Sequence, residues 1–150
     1  MVEKCLLGIY YTWKEWMKFK LRSQRVHLMI DLWTHEMSHR KFIGIRVTFI
    51  DETWIFHSYF LALREFRITS SIGQKKQWRK ALGVKMQEIL KEFNVSFADI
   101  ITVTSDAGSD FKSYLLKHAN YWCWCVSHLL HRVAADTWKL PSIKNSSSRH

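Results

Sequence analysis

The order of strand-like and helix-like segments constrains the fold of this chain more than any other feature. The first three segments after residue 25 have strand patterns, and the first of them, 26–33, is so continuously apolar that it predicts a strand covered on both faces. From residue 74 onwards, helix and strand patterns alternate. The segments are strands at 26–33, 41–50 and 54–66, a helix at 74–94, a strand at 100–106, a helix at 107–120, a strand at 121–126, and a last helix that Ser127 caps.

This β-β-β-α-β-α-β-α order predicts an α/β fold with one mixed five-stranded sheet flanked by helices. Three strands joined by short turns form an antiparallel meander, and a strand reached through a helical crossover is normally parallel to its sheet neighbour. The fourth and fifth strands are therefore expected to be parallel. This is the plan of the ribonuclease-H-like fold, in which the first and fourth strands lie side by side.

Composition narrows the function classes. A hydrophobic fraction of 47% excludes a disordered chain, and a net charge of +10 favours a polyanionic partner, with nucleic acid first among them. Three cysteines do not suggest a disulfide framework, so a reducing compartment, the cytosol or the nucleus, is expected. No segment reaches the roughly 18 uninterrupted apolar residues of a membrane span, so no membrane partner is expected.

Two carboxylates close strand-like runs. Asp31 ends the first run and Asp106 ends the fourth. An N-cap is the ordinary role of an Asp between a strand and a helix, and it suits Asp106, but no helix follows Asp31. A carboxylate at the end of a buried run is costly unless a cation or hydrogen-bond donors compensate it. If the two strands are neighbours, Asp31 and Asp106 are candidate ligands of a hard cation.

Two further patterns suggest zinc. His35, Glu36 and His39 spell H-E-x-x-H, which zinc hydrolases carry on a helix, whereas here the pattern lies in a connection between two strand-like runs. The second pattern is Cys123-x-Cys125-x-x-His128-x-x-His131. Its C-x-C spacing matches structural zinc sites poorly, and it favours cysteines that behave as small hydrophobic residues.

Several segments, in order and at similar spacing, resemble the catalytic core of hAT (hobo–Activator type) transposases. They are VHLMIDLWT, FIGIRVTFID with TWIFHSYFLALREF, ITVTSDAGSD, and WCWCVSHLLHRVAADTW, and together they cover about residues 26–140. The D-x-W-T, T-S-D-A-G-S-D and C-x-x-H-x-L blocks carry the resemblance jointly.

The resemblance implies a ribonuclease-H-like enzyme of the DDE class, which cuts and joins DNA in the nucleus with two divalent ions, Mg²⁺ or Mn²⁺. By motif, Asp31 and Asp106 are the first two metal-binding catalytic carboxylates. Cys125 and His128 fall on the C-x-x-H signature, where they are candidates for contacting DNA or supporting the active site. Trp33 and Thr34, in the first block, are expected to support it as well.

The chain also departs from this family. The third carboxylate of the family is a Glu that follows a large helical insertion after the fifth strand, whereas after Asp110 this chain has only one acidic residue, Asp136. In the family pattern that position belongs to the C-x-x-H helix, so Asp136 is not expected to bind metal. The family oligomerises, but its dimerisation region and its N-terminal zinc-binding DNA-recognition module have no counterpart here.

We therefore expect a basic, aromatic helical segment at 1–25, an incomplete transposase core at 26–140 and a disordered tail at 141–150. The expected function is that of a truncated, DNA-binding hAT transposase core of transposable-element origin that lacks full catalytic activity. A non-enzymatic nucleic-acid-binding or regulatory module derived from a transposase is the alternative. A zinc hydrolase acting through residues 35–39 is a more remote one.

Overall fold

The computed structural model describes residues 2–38, 40–66, 74–106, 112, 114–116 and 119–139. In this part of the chain, three α-helices and five strands follow one another, and a short 3₁₀ turn at Phe97–Asp99 precedes the fourth strand. The elements are α1 (Val2–Leu21), β1 (Val26–Thr34), β2 (Lys41–Ile50), β3 (Phe56–Phe66), α2 (Gln74–Glu92), β4 (Ile100–Ser105), β5 (Tyr121–Trp124) and α3 (Val126–Trp138).

The five strands form one mixed sheet in the order β3-β2-β1-β4-β5. β1, β2 and β3 are antiparallel neighbours, β4 is parallel to β1, and β5 is parallel to β4. This arrangement confirms the predicted ribonuclease-H-like α/β fold, including the contact between the first and fourth strands.

The hydrophobic core lies on one face of the sheet, under α1 and α2. Alternate residues of the strands point into it, α1 contributes Met17 and Leu21, and α2 contributes a row at helical spacing. The ring of Trp13 on α1 meets that of Phe93, just after α2, edge to face at 5.7 Å between centroids. The largest fully buried side chains are Met17, Leu28, Ile43, Ile45, Leu82, Met86, Ile89, Leu90, Phe93, Ile100 and Leu115.

The opposite face of the sheet stays largely open in the described part of the chain. Met29, Asp31 and Trp33 of β1 all point to this face and are exposed. The prediction that β1 is covered on both faces is therefore wrong. An apolar run cannot distinguish a strand buried on two sides from one whose open face also carries large apolar side chains.

Glu92, the last residue of α2, ties three elements together. Its Oε2 atom lies 3.4 Å from Lys14 Nζ of α1 and 3.1 Å from Arg64 Nη2 of β3. The hydroxyl of Tyr10 lies 3.5 Å from the same carboxylate oxygen. Because each of these groups is at least partly exposed, the cluster fixes the orientation of α1 more than it adds stability.

The turn between β2 and β3 is organised around the Asp51 carboxylate. Its Oδ1 atom accepts hydrogen bonds from the backbone N–H of Thr53 (2.9 Å) and Ile55 (3.0 Å) and from the Thr53 hydroxyl (2.7 Å). Its Oδ2 atom lies 2.7 Å from His57 Nε2. The hydrogen bond to His57, followed by those to Thr53 and Ile55, holds the pKa of the Asp51 carboxyl well below its usual range.

Several predicted boundaries differ from the structure. β5 ends at Trp124 and α3 begins at Val126, so Cys125 is the N-cap of α3 and the prediction that Ser127 caps it is wrong. β3 begins at Phe56, because Trp54 adopts a positive φ of 63° in the preceding turn. The helix predicted at 107–120 lies mostly outside the described residues, and the tail at 141–150 lies entirely outside them.

Gly83 on α2 should not tolerate a side chain, in contrast to Gly8 on α1. A Cβ at Gly83 would lie 2.6 Å from the Tyr114 ring, whereas a Cβ at Gly8 has no neighbour within 4 Å. We expect Gly8→Ala to raise the free energy of unfolding by about 0.5–1 kcal/mol. Gly83→Ala should lower it, because an overpacking cost of about 1–3 kcal/mol exceeds that gain in helix propensity.

Urea unfolding followed by far-ultraviolet circular dichroism measures both changes. If Gly83→Ala stabilised the protein as much as Gly8→Ala does, the packing of α2 against Tyr114 would be refuted.

The Asp51 cluster should make stability fall at acidic pH. Because the folded-state pKa of Asp51 lies below its unfolded value of 3.8, its contribution is complete above that value and is lost as the pH falls through the folded pKa. In urea titrations from neutral pH to about pH 3, Asp51→Asn should be less stable than the wild type at neutral pH and should lose less stability on acidification. Parallel pH profiles for the two proteins would contradict this role.

Candidate metal and nucleic-acid site

The two predicted carboxylates follow a pair of facing residues on neighbouring parallel strands: Asp31 lies in the second half of β1, and Asp106 comes directly after β4. The register of β1 against β4 runs through Leu28↔Val103 to Ile30↔Ser105, so Asp31 and Asp106 are the next residues on each strand. Neighbouring strands are about 4.8 Å apart, and the carboxyl ends of parallel strands are where open α/β sheets bind ligands. Asp31 is exposed, and its Oδ1 atom accepts a hydrogen bond from the backbone N–H of Leu32 at 3.0 Å.

A buried serine holds the backbone next to Asp106. Ser105 is 1% exposed, and its hydroxyl accepts a hydrogen bond from Trp122 Nε1 at 2.9 Å and donates one to the carbonyl of Asp106 at 3.0 Å. The carbonyl of Ser105 accepts a hydrogen bond from the backbone N–H of Cys125 at 2.9 Å. The end of β4 is thereby fixed to both β5 and the start of α3.

Cys125 and His128 form a polar pair at the N-terminus of α3. Cys125 is the N-cap, and although its sulfur makes no capping hydrogen bond of ordinary geometry, the backbone N–H of His128 stabilises the thiolate, followed by the His128 side chain. Both interactions lower the pKa of the thiol. The pKa of His128 is raised, first by Cys125 and further by the charges of Asp31 and Asp106, so His128 lies within electrostatic reach of both carboxylates.

Asp31, Cys125 and His128 line one open cleft of about 430 Å³ on the uncovered face of the sheet. Of the other residues predicted for the site, Trp33 also lines it. Asp106 is not among the lining residues, although its charge acts on His128, which is one of them. Thr34 ends β1 opposite Lys41 and also lies outside the lining. The residues that line the cleft but were not predicted as site residues are Met29, Ile30, Gly44, Arg46, Phe60, Thr104 and Ser127.

Trp33 is positioned by packing on β2. Its ring lies over Gly44, where a Cβ would come within 3.2 Å of the indole, and it stacks on Phe42 with 5.6 Å between ring centroids. The Arg40 guanidinium lies 5.6 Å from the centre of the Phe42 ring. A row of arginine, phenylalanine and tryptophan therefore extends from the β1–β2 turn into the cleft.

Arg46 is the residue of the cleft that sequence reasoning missed most clearly. It brings a permanent positive charge to the lining, and it donates a hydrogen bond to the Ser58 hydroxyl at 3.1 Å. Its pairing with Met29 places it two residues from Asp31 in the sheet register. Aligning the alternating residues of β2 against β1 across the hairpin would have predicted this position.

The H-E-x-x-H pattern lies in the β1–β2 turn, and its described part, His35–Ser38, is not helical. His35 donates its backbone N–H to the carbonyl of Arg40 at 2.8 Å, and its Nδ1 atom accepts from the backbone N–H of Ser38 at 3.3 Å. His39 lies outside the described residues. A helical zinc site therefore finds no support in the part of the pattern that is described.

Within the described residues, which include Cys123, Cys125, His128 and His131, no group of three or more His, Cys, Asp and Glu side chains is arranged to hold a metal ion. Asp136, on α3, is exposed and forms an ion pair with Lys139 at 3.0 Å, which lowers the pKa of Asp136. It does not line the cleft. A cation at Asp31 and Asp106 would therefore need ligands from elsewhere.

Comparison of the chain with protein-family models gave no match, and no curated protein matches it significantly. The resemblance to hAT transposases thus stays a prediction from the motifs. No helix in the described part of the chain is long and apolar enough to cross a bilayer.

Cys125 should react with alkylating agents faster than the other two cysteines. Its pKa is lowered, so a larger fraction is thiolate at neutral pH, while Cys5 and Cys123 are more exposed and serve as internal controls for access. We expect iodoacetamide to modify Cys125 first, and His128→Gln to slow this reaction selectively. Peptide mass spectrometry at timed intervals measures all three rates, and equal effects of His128→Gln on the three cysteines would contradict the pairing.

Proposed function

We propose that the chain binds DNA at the cleft beside Asp31 and Asp106, and that the two carboxylates hold a divalent cation as in the core of an hAT-type DDE transposase. Support comes from one observation above all: the two residues directly follow the Ile30↔Ser105 pair of adjacent parallel strands, Asp31 within β1 and Asp106 just after β4. Their motifs match the family at the same two positions. On this proposal the chain acts in the nucleus, where its DNA substrate lies.

The donor set fits Mg²⁺ or Mn²⁺ better than zinc. Both donors are carboxylates, and Mg²⁺ is commonly held by one or two carboxylates together with water and the phosphate oxygens of a substrate. Because the described residues offer no group of three metal-binding side chains, we infer that DNA phosphate completes the coordination. Bound divalent ions in such sites activate the attacking oxygen and stabilise the leaving oxygen of a phosphodiester.

The other residues of the cleft have roles in binding. The raised pKa of His128 favours its protonated form, which can donate a hydrogen bond to a phosphate oxygen. Arg46 adds a fixed positive charge, and Trp33 and Phe60 add exposed aromatic surface to the same cleft. These groups bind and orient the nucleic acid whether or not a bond is cleaved.

We expect little or no strand transfer from this chain alone. The resemblance implies three carboxylates, of which the chain matches two, and Asp136 is outside the cleft in an ion pair with Lys139. Charge that develops on the phosphate during the reaction would be incompletely compensated without the third.

A non-enzymatic nucleic-acid-binding module is the second candidate function. The observation that favours it is the net charge of +10, because lysine and arginine contacts with phosphates supply affinity through the release of counterions and need no metal. On this alternative Asp31 and Asp106 contribute nothing to binding.

The two candidates differ in how DNA affinity responds to divalent cations. If Asp31 and Asp106 hold the cation, Mg²⁺ should tighten binding by about tenfold, and DNA should tighten Mg²⁺ binding equally. Asp31→Asn should abolish the response, and without Mg²⁺ it should bind DNA more tightly than the wild type, because it removes a negative charge beside the phosphates. Fluorescence anisotropy with labelled DNA at constant ionic strength measures both effects.

Asp136→Asn is the matched control, since it makes the same change of charge on an exposed carboxylate outside the cleft. Mg²⁺-independent binding that Asp31→Asn leaves unchanged would favour the non-enzymatic module. In a parallel strand-transfer assay with Mn²⁺, efficient Asp31-dependent products would refute the expectation that the chain is catalytically incomplete.

A further inference from the structure

Helix α1 carries a second face whose large apolar side chains stay exposed, although they border on β2 and β3. Its inner face, which includes Met17 and Leu21, packs on the core. The outer face carries five exposed residues that we call the outer seam: Cys5, Ile9, Thr12, Trp16 and Phe19. Three of them are large, and the exposed fractions are 62% for Ile9, 41% for Trp16 and 73% for Phe19. The Trp16 ring also meets the Tyr59 ring of β3 edge to face, with 5.4 Å between centroids, so only its outer part is available to a partner.

The spacing of the outer seam is that of a coiled coil. Successive seam residues are separated by four, three, four and three positions, which is the alternation of a and d positions in a heptad repeat. The inner face of α1 holds the helix on the core, so the seam is presented on a helix that is already formed. A stripe of exposed apolar side chains, interrupted here by Thr12, is typical of a protein interface.

Charged residues beside the seam favour one partner helix and one relative orientation of the two helices. With Ile9 and Trp16 at a positions, Glu15 takes a g position and Lys20 an e position. In a parallel pair of identical helices, each g residue faces the e residue five positions later in the partner, so Glu15 meets Lys20 on both sides of the seam. An antiparallel pair sets g positions against g positions and e positions against e positions, so Glu15 and Lys20 would not face each other.

Both charged groups are accessible. Glu15 bonds to Lys18 of its own helix at 2.7 Å, yet its side chain remains 68% exposed. The Lys20 ammonium lies 5.9 Å from the centre of the Trp16 ring, at the border of the seam. Exposed ion pairs of this kind add little affinity, but they determine which orientation is favoured.

We propose that the outer seam binds the outer seam of a second copy of this chain, forming a short parallel coiled coil between two α1 helices. Because α1 packs on the face of the sheet opposite the cleft, the dimer leaves both clefts open. The interface covers about two and a half heptads, which places it at the small end of specific interfaces, with an expected dissociation constant of about 10 µM or weaker.

Sedimentation velocity of the full chain from about 1 to about 200 µM tests the association. We expect a concentration-dependent dimer that Ile9→Lys abolishes and Tyr11→Lys retains. Tyr11 is the matched control, because it is 59% exposed on the same helix but lies off the seam. Far-ultraviolet circular dichroism of each variant verifies that the exposed substitutions leave the fold intact.

Charge exchange and cross-linking test the direction. Glu15→Lys should weaken the dimer, because it sets two positive charges against each other across the seam, and adding Lys20→Glu to the same chain should restore it. Oxidation with copper–phenanthroline, which accepts the two electrons, should form a disulfide between the Cys5 residues of two copies, because a parallel seam aligns identical d positions. Mass spectrometry of the peptides identifies which cysteines are joined, so Cys123 and Cys125 need not be mutated.

A chain that stays monomeric throughout, or a dimer that Ile9→Lys and Tyr11→Lys weaken equally, would overturn the proposal. So would a dimer without the Cys5 cross-link or without rescue by the charge exchange. Binding of a monomeric chain to phosphatidylserine vesicles through Ile9 would instead assign the seam to a lipid surface. None of these results depends on Asp31, so they are independent of the proposed function.

Discussion

The parallel pairing of β1 with β4 is the interaction on which both the fold and the candidate site depend. It joins segments that are far apart in sequence, and in the register it stacks the buried residues Leu28 on Val103 and Ile30 on Ser105. A one-residue slip of either strand would move the inward-facing side chains of that strand to the open face and its carboxylate to the core, at the cost of burying a charge. The core therefore enforces the register, and the register brings Asp31 beside Asp106.

The fold could be predicted because its signals are local. Alternation in 41–50, a helical period in 74–94 and the order of the segments leave few ways to build one sheet, and the observed order agrees with the prediction. The boundary at Cys125 could not be predicted, because Ser127 is the better capping residue by type. The helix begins earlier because the backbone N–H of Cys125 still bonds to the Ser105 carbonyl of β4, and α3 starts at the next residue.

The site was less predictable than the fold, because a cleft is a property of several strands at once. Motifs singled out Asp31, Trp33, Cys125 and His128, which line the cleft, but also Thr34 and Asp106, which do not. Arg46 and Phe60 enter only through the pairing of β2 with β1 and of β3 with β2. Arg46 comes near Asp31 because it pairs with Met29, which lies two residues before Asp31 on the same face of β1.

The charge distribution bears on why the proposed function requires a cation beside the carboxylates. With 23 basic and 13 acidic residues, the chain has a net positive field that favours polyanions, but at about 0.15 M salt this field fades within about 8 Å. At contact distance, the groups nearest to a phosphate determine its electrostatic energy. Beside the cleft these groups include two carboxylates, which repel a phosphate. On the open face water can hydrate them while no ligand is bound, which avoids the cost of burial. On the proposed function, Arg46 and His128 would offset part of the repulsion of a phosphate, and a divalent cation held by the carboxylates would offset the rest.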